Sequence, residues 1–233
     1  MSTPLATDRP DAVVFDLDGT LVDTVEHRIQ AWMRAFEEAG IPATREEVSP
    51  LIGADGKQVA RQIAERAGLS MDESAVEAID QRSGEIFQAL NVDPRPLPGA
   101  REVADALDRA GVAWAIGTSS RRAQVRSSVD ALRLDHEPTI VDGSHVKHAK
   151  PAPDLLLLAA DQLSVDPYRT WYVGDSTFDM RAAVAAGMHP IGVSTGSADA
   201  EALRRAGAAE VIESLRELEG RVRRWAGSPA PEA

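Results

Sequence analysis

The chain has 233 residues, 43% of them hydrophobic and 27% charged, a globular balance that suits one large or two small domains. Its formal net charge of −12 argues against a general nucleic-acid or anionic-membrane binder, and any anionic ligand must meet a locally positive site. There are no cysteines, which excludes disulfides, thiolate metal sites and thiol nucleophiles. The opening MSTPLATDRPD has no apolar segment and no later apolar run reaches membrane-spanning length, so a soluble cytoplasmic protein is expected.

In chain order, Val13 to Leu17 is a short β-branched and aromatic run that predicts a buried strand, broken by Asp16 and Asp18. From Thr24 to about Gly40 the period changes to helical, with Val25, Ile29, Trp32, Met33 and Phe36 on one stripe. Further helical pattern follows at Val59 with Ile63, then at Val76, Ile79, Ile86 and Leu90, and no strand is expected between Leu21 and Asn91. The proline-rich DPRPLPG, residues 93–99, reads as a boundary. Beyond it strands and helices alternate, with strands at Val112–Ile116, Thr139–Val141, Trp171–Val173, Ile191–Val193 and Glu210–Ile212. Helices are expected over 100–110, 122–132, 153–163 and 179–186. The tail AGSPAPEA reads as a frayed end. Repeated strand–helix units predict an α/β fold, a doubly wound parallel sheet with a helical cap inserted after the first strand. The expected division is a core of residues 1–22 and 97–233 and a cap of residues 23–96.

Ligands of open α/β sheets bind outside the carboxyl ends of the strands. Those ends here offer Asp16 and Asp18; Thr118, Ser119 and Ser120; Lys150; and Asp175 and Asp179. Carboxylates converging on one spot repel unless a cation sits among them. Without Cys or a His cluster the ligands are oxygens, which suit Mg²⁺. Hydroxyls, backbone N–H groups and a lysine can hold a phosphate. One carboxylate could then act as nucleophile and another, two residues on, as acid and base; spacing alone does not say which is which.

The set Asp16-Leu17-Asp18-Gly19-Thr20, Thr118 after an apolar strand, Lys150-Pro151-Ala152-Pro153-Asp154 and Gly174-Asp175-Ser176-Thr177-Phe178-Asp179 resembles the haloacid-dehalogenase (HAD) superfamily, with a Rossmann-like core. The motifs occur in order, from about Val13 to beyond Val193, and the short helical cap resembles the phosphoglycolate-phosphatase and β-phosphoglucomutase branch. The resemblance implies Asp16 as nucleophile and Mg²⁺ ligand, and Asp18 as general acid/base whose backbone carbonyl meets the metal. It also implies Thr118, Ser119 and Lys150 as phosphate binders, Asp175 as metal ligand, and Asp179 as support for the metal shell or for Lys150. The expected activity is Mg²⁺-dependent hydrolysis of a small phosphorylated metabolite through an aspartyl-phosphate. Asp18 speaks against a dehalogenase, whose leaving halide needs no proton. For a sugar-phosphate mutase, the hinge histidine falls on Arg28, with His27 one residue early, and the cap arginine falls on Gly56; both departures favour a hydrolase.

Plainer readings stand beside these. Asp23 reads as an acid at a helix N-terminus near Thr24, and Asp154 as a first-turn charge of the next helix. His145 and His148 could form a two-His metal site but read more simply as loop histidines. Trp114 and Trp171 read as core, and Trp32 and Phe36 as cap packing. Gly192-Val193-Ser194-Thr195-Gly196 matches a serine-hydrolase elbow, yet no His follows His189 to serve it. In LIGADGKQVAR the glycines permit a sharp turn, and Lys57, Gln58 and Arg61 could read the substrate, or Lys57 and Arg61 could be an exposed pair. A catalytically silent interaction module is the reading from another class. Nothing in the sequence demands more than a monomer.

Overall fold

The computed structural model describes residues 9–225, so the tail expected to fray lies outside the described residues. In chain order the elements are β1 (Ala12–Phe15), β2 (Val22–Asp23), α1 (Val25–Glu38), α2 (Arg45–Val48), α3 (Gly56–Arg66), α4 (Glu73–Leu90) and β3 (Arg95–Pro96). There follow α5 (Ala100–Ala110), β4 (Ala113–Gly117), α6 (Arg122–Ala131), β5 (Thr139–Val141), α7 (Asp154–Leu163), β6 (Thr170–Gly174), α8 (Thr177–Ala186), β7 (His189–Val193), α9 (Ala200–Arg205), β8 (Glu210–Ile212) and α10 (Leu215–Trp225).

Six strands form one parallel sheet in the order β5-β4-β1-β6-β7-β8. β1 lies between β4 and β6, with Val13 opposite both Trp114 and Trp171. All four β1 side chains are buried, as both faces of the sheet are covered. Strand alternation splits them. Val13 and Phe15 join Trp114, Trp171 and the apolar faces of α5 and α10. Val14 joins Tyr172 with α7 and α8 on the other side. Trp114 and Trp171 are therefore core residues. The chain runs outward from β1 through β4 to β5, then crosses back to β6 and outward to β8. That reversal opens a crevice at the carboxyl ends of β4, β1 and β6.

The helical segment after β1 builds its own apolar cluster. Trp32 and Phe36 stack with centroids 5.4 Å apart, among Val48, Val59, Ile63, Val76 and Phe87, and Phe178 of α8 joins them from below. The expectation of no strand between Leu21 and Asn91 fails. Val22–Asp23 pairs antiparallel with Arg95–Pro96, and Leu97 N–H donates to Leu21 O at 2.9 Å. Two-residue strands leave no periodicity to read, and Pro96 fits where a ladder donor is dispensable. Asp23 is also corrected: it is an exposed strand residue. Thr24 occupies the helix cap position but caps nothing with its side chain, since its hydroxyl serves Asp18. Among the helices, α2, α9 and α10 lack counterparts in the sequence reading. α10 was legible, because Leu215, Leu218 and Val222 recur at helical spacing and are buried.

Candidate active site

The strand ends bring Asp16, Asp18, Thr118, Ser119, Lys150, Asp175 and Asp179 to the crevice. Asp16 directly follows β1, and its N–H still donates to Val173 O at 2.8 Å, so the ladder to β6 fixes its backbone. Lys150 reaches it from the loop before α7 and is fully buried. Its Nζ donates to Asp16 Oδ1 at 2.5 Å, to Asp179 Oδ1 at 2.7 Å and to the Tyr172 hydroxyl at 3.2 Å. Burial opposes the ammonium charge, but Asp16 and Asp179 outweigh it and hold Lys150 above the ordinary lysine range.

Carboxylate oxygens of Asp16, Asp175 and Asp179 lie within 4.8 Å of one another, all buried. Burial, against the pull of Lys150, raises Asp16 well above the usual carboxylate range, and the Asp179 and Asp175 charges add to it. Burial, then the Asp179 charge, pushes Asp175 up to about 7. Three acids thus face one ammonium. The surplus negative charge and all-oxygen donor set fit a divalent cation. The three acids are not equally free to take one. Asp179 Oδ1 accepts from Lys150 and from Tyr172 OH at 2.9 Å, and its Oδ2 accepts from Ser176 N at 2.9 Å and Ser176 Oγ at 2.5 Å. Asp175 accepts one bond per oxygen, from Thr20 Oγ1 at 3.0 Å and Ser197 N at 2.7 Å. Asp16 Oδ2 accepts none among the described residues. Gly19 adopts φ +82, and a Cβ there would stand 2.7 Å from Asp175 Oδ2.

Asp18 faces a different neighbourhood. It accepts from Thr24 Oγ1 at 2.6 Å, Arg28 Nη2 at 2.8 Å and Ser120 Oγ at 3.1 Å. Burial would raise its pKa, but Arg28, Thr24 and Ser120 together bring it below the usual range. Arg28 also donates to Ser120 Oγ at 2.6 Å and lies over the Phe87 ring, 3.4 Å from its centroid. Thr118 is buried at the end of β4, held by its N–H to Val141 O at 3.0 Å. Ser119 Oγ donates to Gly53 O of the helical insert at 3.4 Å.

Asp16, Asp18, Thr118, Ser119 and Lys150 line a cavity of about 1120 Å³ between insert and sheet. The loop before α3 closes over it: Asp55 N–H donates to Lys150 O at 3.1 Å, and a Cβ on Gly53 would lie 2.5 Å from Ser176 Oγ. Lys57, Gln58 and Arg61 line this cavity. Lys57 pairs with Glu77 at 2.5 Å and with Glu73, and Arg61 also pairs with Glu73. Their charges are spent on the α4 face, closer to the plainer reading. His145 and His148 have separate partners: His145 Nδ1 accepts from Asp142 N at 3.1 Å, and His148 faces Asp154 at 3.2 Å. The GVSTG segment instead braces the acids, with Thr195 Oγ1 donating to Gly19 O at 2.7 Å next to the Ser197 bond to Asp175.

Tyr172, Thr20, Ser197 and the contact of Arg28 with Asp18 have no role assigned by the sequence pattern. Tyr172 left no signal beyond an apolar strand, whereas Arg28 was noticed only as a departure from the mutase pattern.

The chain matches the haloacid dehalogenase-like hydrolase family model over residues 13–193. It is 31% identical to N-acetylmuramic acid 6-phosphate phosphatase of Pseudomonas aeruginosa, over 77% of this chain and 79% of that one. It is 30% identical to a phosphoglycolate phosphatase of Pseudomonas syringae, over 90% and 78%. A solved hydrolase from Pseudomonas syringae superposes with a TM-score of 0.86 at 30% identity, covering 90% of this chain and 96% of that one. With the family model running from β1 through β7, across every strand end at the crevice, the chain belongs to the haloacid dehalogenase-like hydrolase family.

Proposed function

We propose that the protein is a Mg²⁺-dependent phosphatase acting on a small phosphorylated metabolite through an aspartyl-phosphate. The observation that carries this reading is Lys150, buried between Asp16 and Asp179 beside Asp175, with Asp18 in its own hydrogen-bonded pocket two residues on. The relatives named above, phosphatases of phosphorylated small molecules, support it.

In this reading Asp16 and Asp175 supply carboxylates to the cation, with the Asp18 backbone carbonyl. Asp179, its oxygens occupied, orients Lys150. Bound Mg²⁺ would neutralise the phosphate and the acids so that a carboxylate can approach the phosphorus. An Asp16 oxygen attacks phosphorus, the bond to the ester oxygen breaks, and its electron pair leaves with that oxygen, which takes a proton from Asp18 once the negative charge of the incoming phosphate has raised that carboxyl enough to hold one. Asp18 then takes a proton from water, whose oxygen attacks the phosphorus and releases inorganic phosphate and the Asp16 carboxylate. Thr118, the Ser119 N–H and Lys150 hold the phosphate oxygens. Residues 1–22 and 97–233 act as the core and 23–96 as a cap that excludes water during the first step. Arg28 disfavours the mutase alternative, since its guanidinium keeps its proton and cannot relay one. A cytoplasmic location belongs to the same proposal; no helix among the described residues is long and apolar enough to cross a membrane.

A panel of sugar phosphates, phosphoglycolate, nucleotides and pyrophosphate, assayed for phosphate release with and without Mg²⁺, tests this. Mg²⁺-dependent release that Asp16→Asn abolishes while the fold persists is the expected result. Turnover well above background in Asp16→Asn would overturn the nucleophile assignment, and an isomeric sugar phosphate in place of free phosphate would establish a mutase.

A further inference from the structure

The hydroxyl of Tyr172 is a buried polar group that the proposed chemistry leaves without a task. The side chain is fully buried on the Val14 side of the sheet and is not among the residues lining the cavity. Its oxygen lies where β6, β4, α8 and the Lys150 loop meet. It accepts from Lys150 Nζ at 3.2 Å, and it can donate to Asp179 Oδ1 at 2.9 Å or to Gly117 O at 3.3 Å, just before Thr118. Tyr172 therefore touches no substrate and acts only through the groups it bonds.

Lys150 has more acceptors around it than hydrogens to give them. An ammonium carries three N–H donors. Four acceptors surround Lys150 Nζ: Asp16 Oδ1 at 2.5 Å, Asp179 Oδ1 at 2.7 Å, the Tyr172 hydroxyl at 3.2 Å and Gly117 O at 3.5 Å. This arrangement leaves no hydrogen for a phosphate oxygen, so one acceptor must yield when phosphate arrives. The two carboxylates are charged and make the shorter, stronger bonds. The third hydrogen is shared by the neutral acceptors, and Tyr172 is the nearer of the two. Its oxygen stays in place when the ammonium turns away, because its own hydrogen remains on Asp179.

We propose that Tyr172 is a positioning residue that competes with phosphate for Lys150: its hydroxyl takes the third hydrogen of the ammonium between turnovers and yields it to a phosphate oxygen when substrate binds. This rests on the phosphatase reading, in which Lys150 holds the phosphate, and extends it to how the product anion is let go. Without the hydroxyl, the third hydrogen has only Gly117 O at 3.5 Å, and a buried donor so poorly matched holds the anion more tightly. Tyr172 thus lowers phosphate affinity and eases release.

Tyr172→Phe removes the oxygen and keeps the ring. With Mg²⁺ present, the inhibition constant of inorganic phosphate should fall roughly 2- to 10-fold against wild type, the worth of one hydrogen bond, and KM for p-nitrophenyl phosphate should fall with it. A hydroxyl that only held the core together would give the opposite sign, since its loss would loosen Lys150 and weaken phosphate binding. An unchanged or raised phosphate constant in Tyr172→Phe would overturn the proposal. A second measurement needs no change at Tyr172. The chain has two tyrosines, Tyr172 and the exposed Tyr168, so protein labelled with 3-fluorotyrosine gives two ¹⁹F lines, and Tyr168→Phe identifies the buried one. Saturating phosphate should shift the buried line relative to the exposed one; the absence of that shift would overturn the proposal even if Tyr172→Phe does not fold. Mg²⁺-dependent release and product inhibition in wild type keep the phosphatase reading in place whichever way Tyr172 comes out. No Mg²⁺-dependent release from any ester, p-nitrophenyl phosphate included, would overturn that reading and this one with it.

Discussion

Replacing Lys150 by methionine tests the electrostatic design of the site without touching the proposed nucleophile. Methionine keeps the unbranched apolar stem and removes the ammonium that lies between Asp16 and Asp179, a group with no exposure at all. Removing one partner of a buried ion pair costs about 3–5 kcal/mol, because the other charge stays buried and uncompensated. Two carboxylates are stranded here, with Asp175 a third within 4.8 Å. One kcal/mol shifts the midpoint by roughly 2–4 °C in a chain of this size, so the expected fall is about 6–20 °C. Thermal unfolding with a chelator present, at pH 8 and at pH 5, measures it. The loss should be larger at pH 8. At pH 5 Asp16 and Asp175, both raised by burial, can hold protons in the folded state, which offsets part of the missing charge. Lys150→Met with Asp179→Asn should lose less than the sum of the two single losses, by about 0.5–3 kcal/mol of coupling. A midpoint within about 2 °C of wild type at both pH values, or strict additivity in the double variant, would refute the view that Lys150 compensates these acids.

Asp18→Asn should lower kcat at least ~10²-fold, the usual scale of a lost general acid/base, in steady-state phosphate release; a loss confined to KM would make Asp18 a binding group. Asp175 gives a pH signature in chelated protein. Its folded pKa of about 7 exceeds the unfolded value near 3.9, so the folded state binds the extra proton and stability falls as pH rises from about 4 to about 7. Melts across that window should show the fall in wild type, a shallower one in Asp175→Asn, and recovery of the neutral-pH loss on adding Mg²⁺. A pH slope identical in the two proteins would refute it.

The sheet and the residues at its carboxyl edge were legible because both rest on local signals. A parallel strand buried on both faces reads as a short apolar run, and in this architecture the chemistry sits where such a run stops. Asp16, Thr118 and Asp175 each follow one directly. Lys150 was legible through its Pro-rich surroundings, although the strand before it is weak. Residues that reach the site through docking were not legible in this way. Arg28 occupies a polar position on an amphipathic helix, and nothing along α1 says that this face meets Ser120 of a distant loop. Tyr172 lies in an apolar strand, and only the packing of β6 against α7 and α8 shows its hydroxyl bonding Lys150 and Asp179. Conversely, Lys57 and Arg61 looked free in sequence because their partners, Glu73 and Glu77, belong to the next helix.

The ribbon of Val22–Asp23 with Arg95–Pro96 makes the helical segment leave and rejoin the core at one place. For the sheet, that whole segment is a closed detour whose two ends are already tied together. Exchange of the segment for one of another size would put no tension on β1 or α5. The ribbon also follows Thr20 and Leu21 without a spacer, so any swing of the detour turns about an axle mounted on the Asp16–Thr20 loop itself. The inserted segment can therefore vary while the buried cluster of Asp16, Asp175, Asp179 and Lys150 keeps its place.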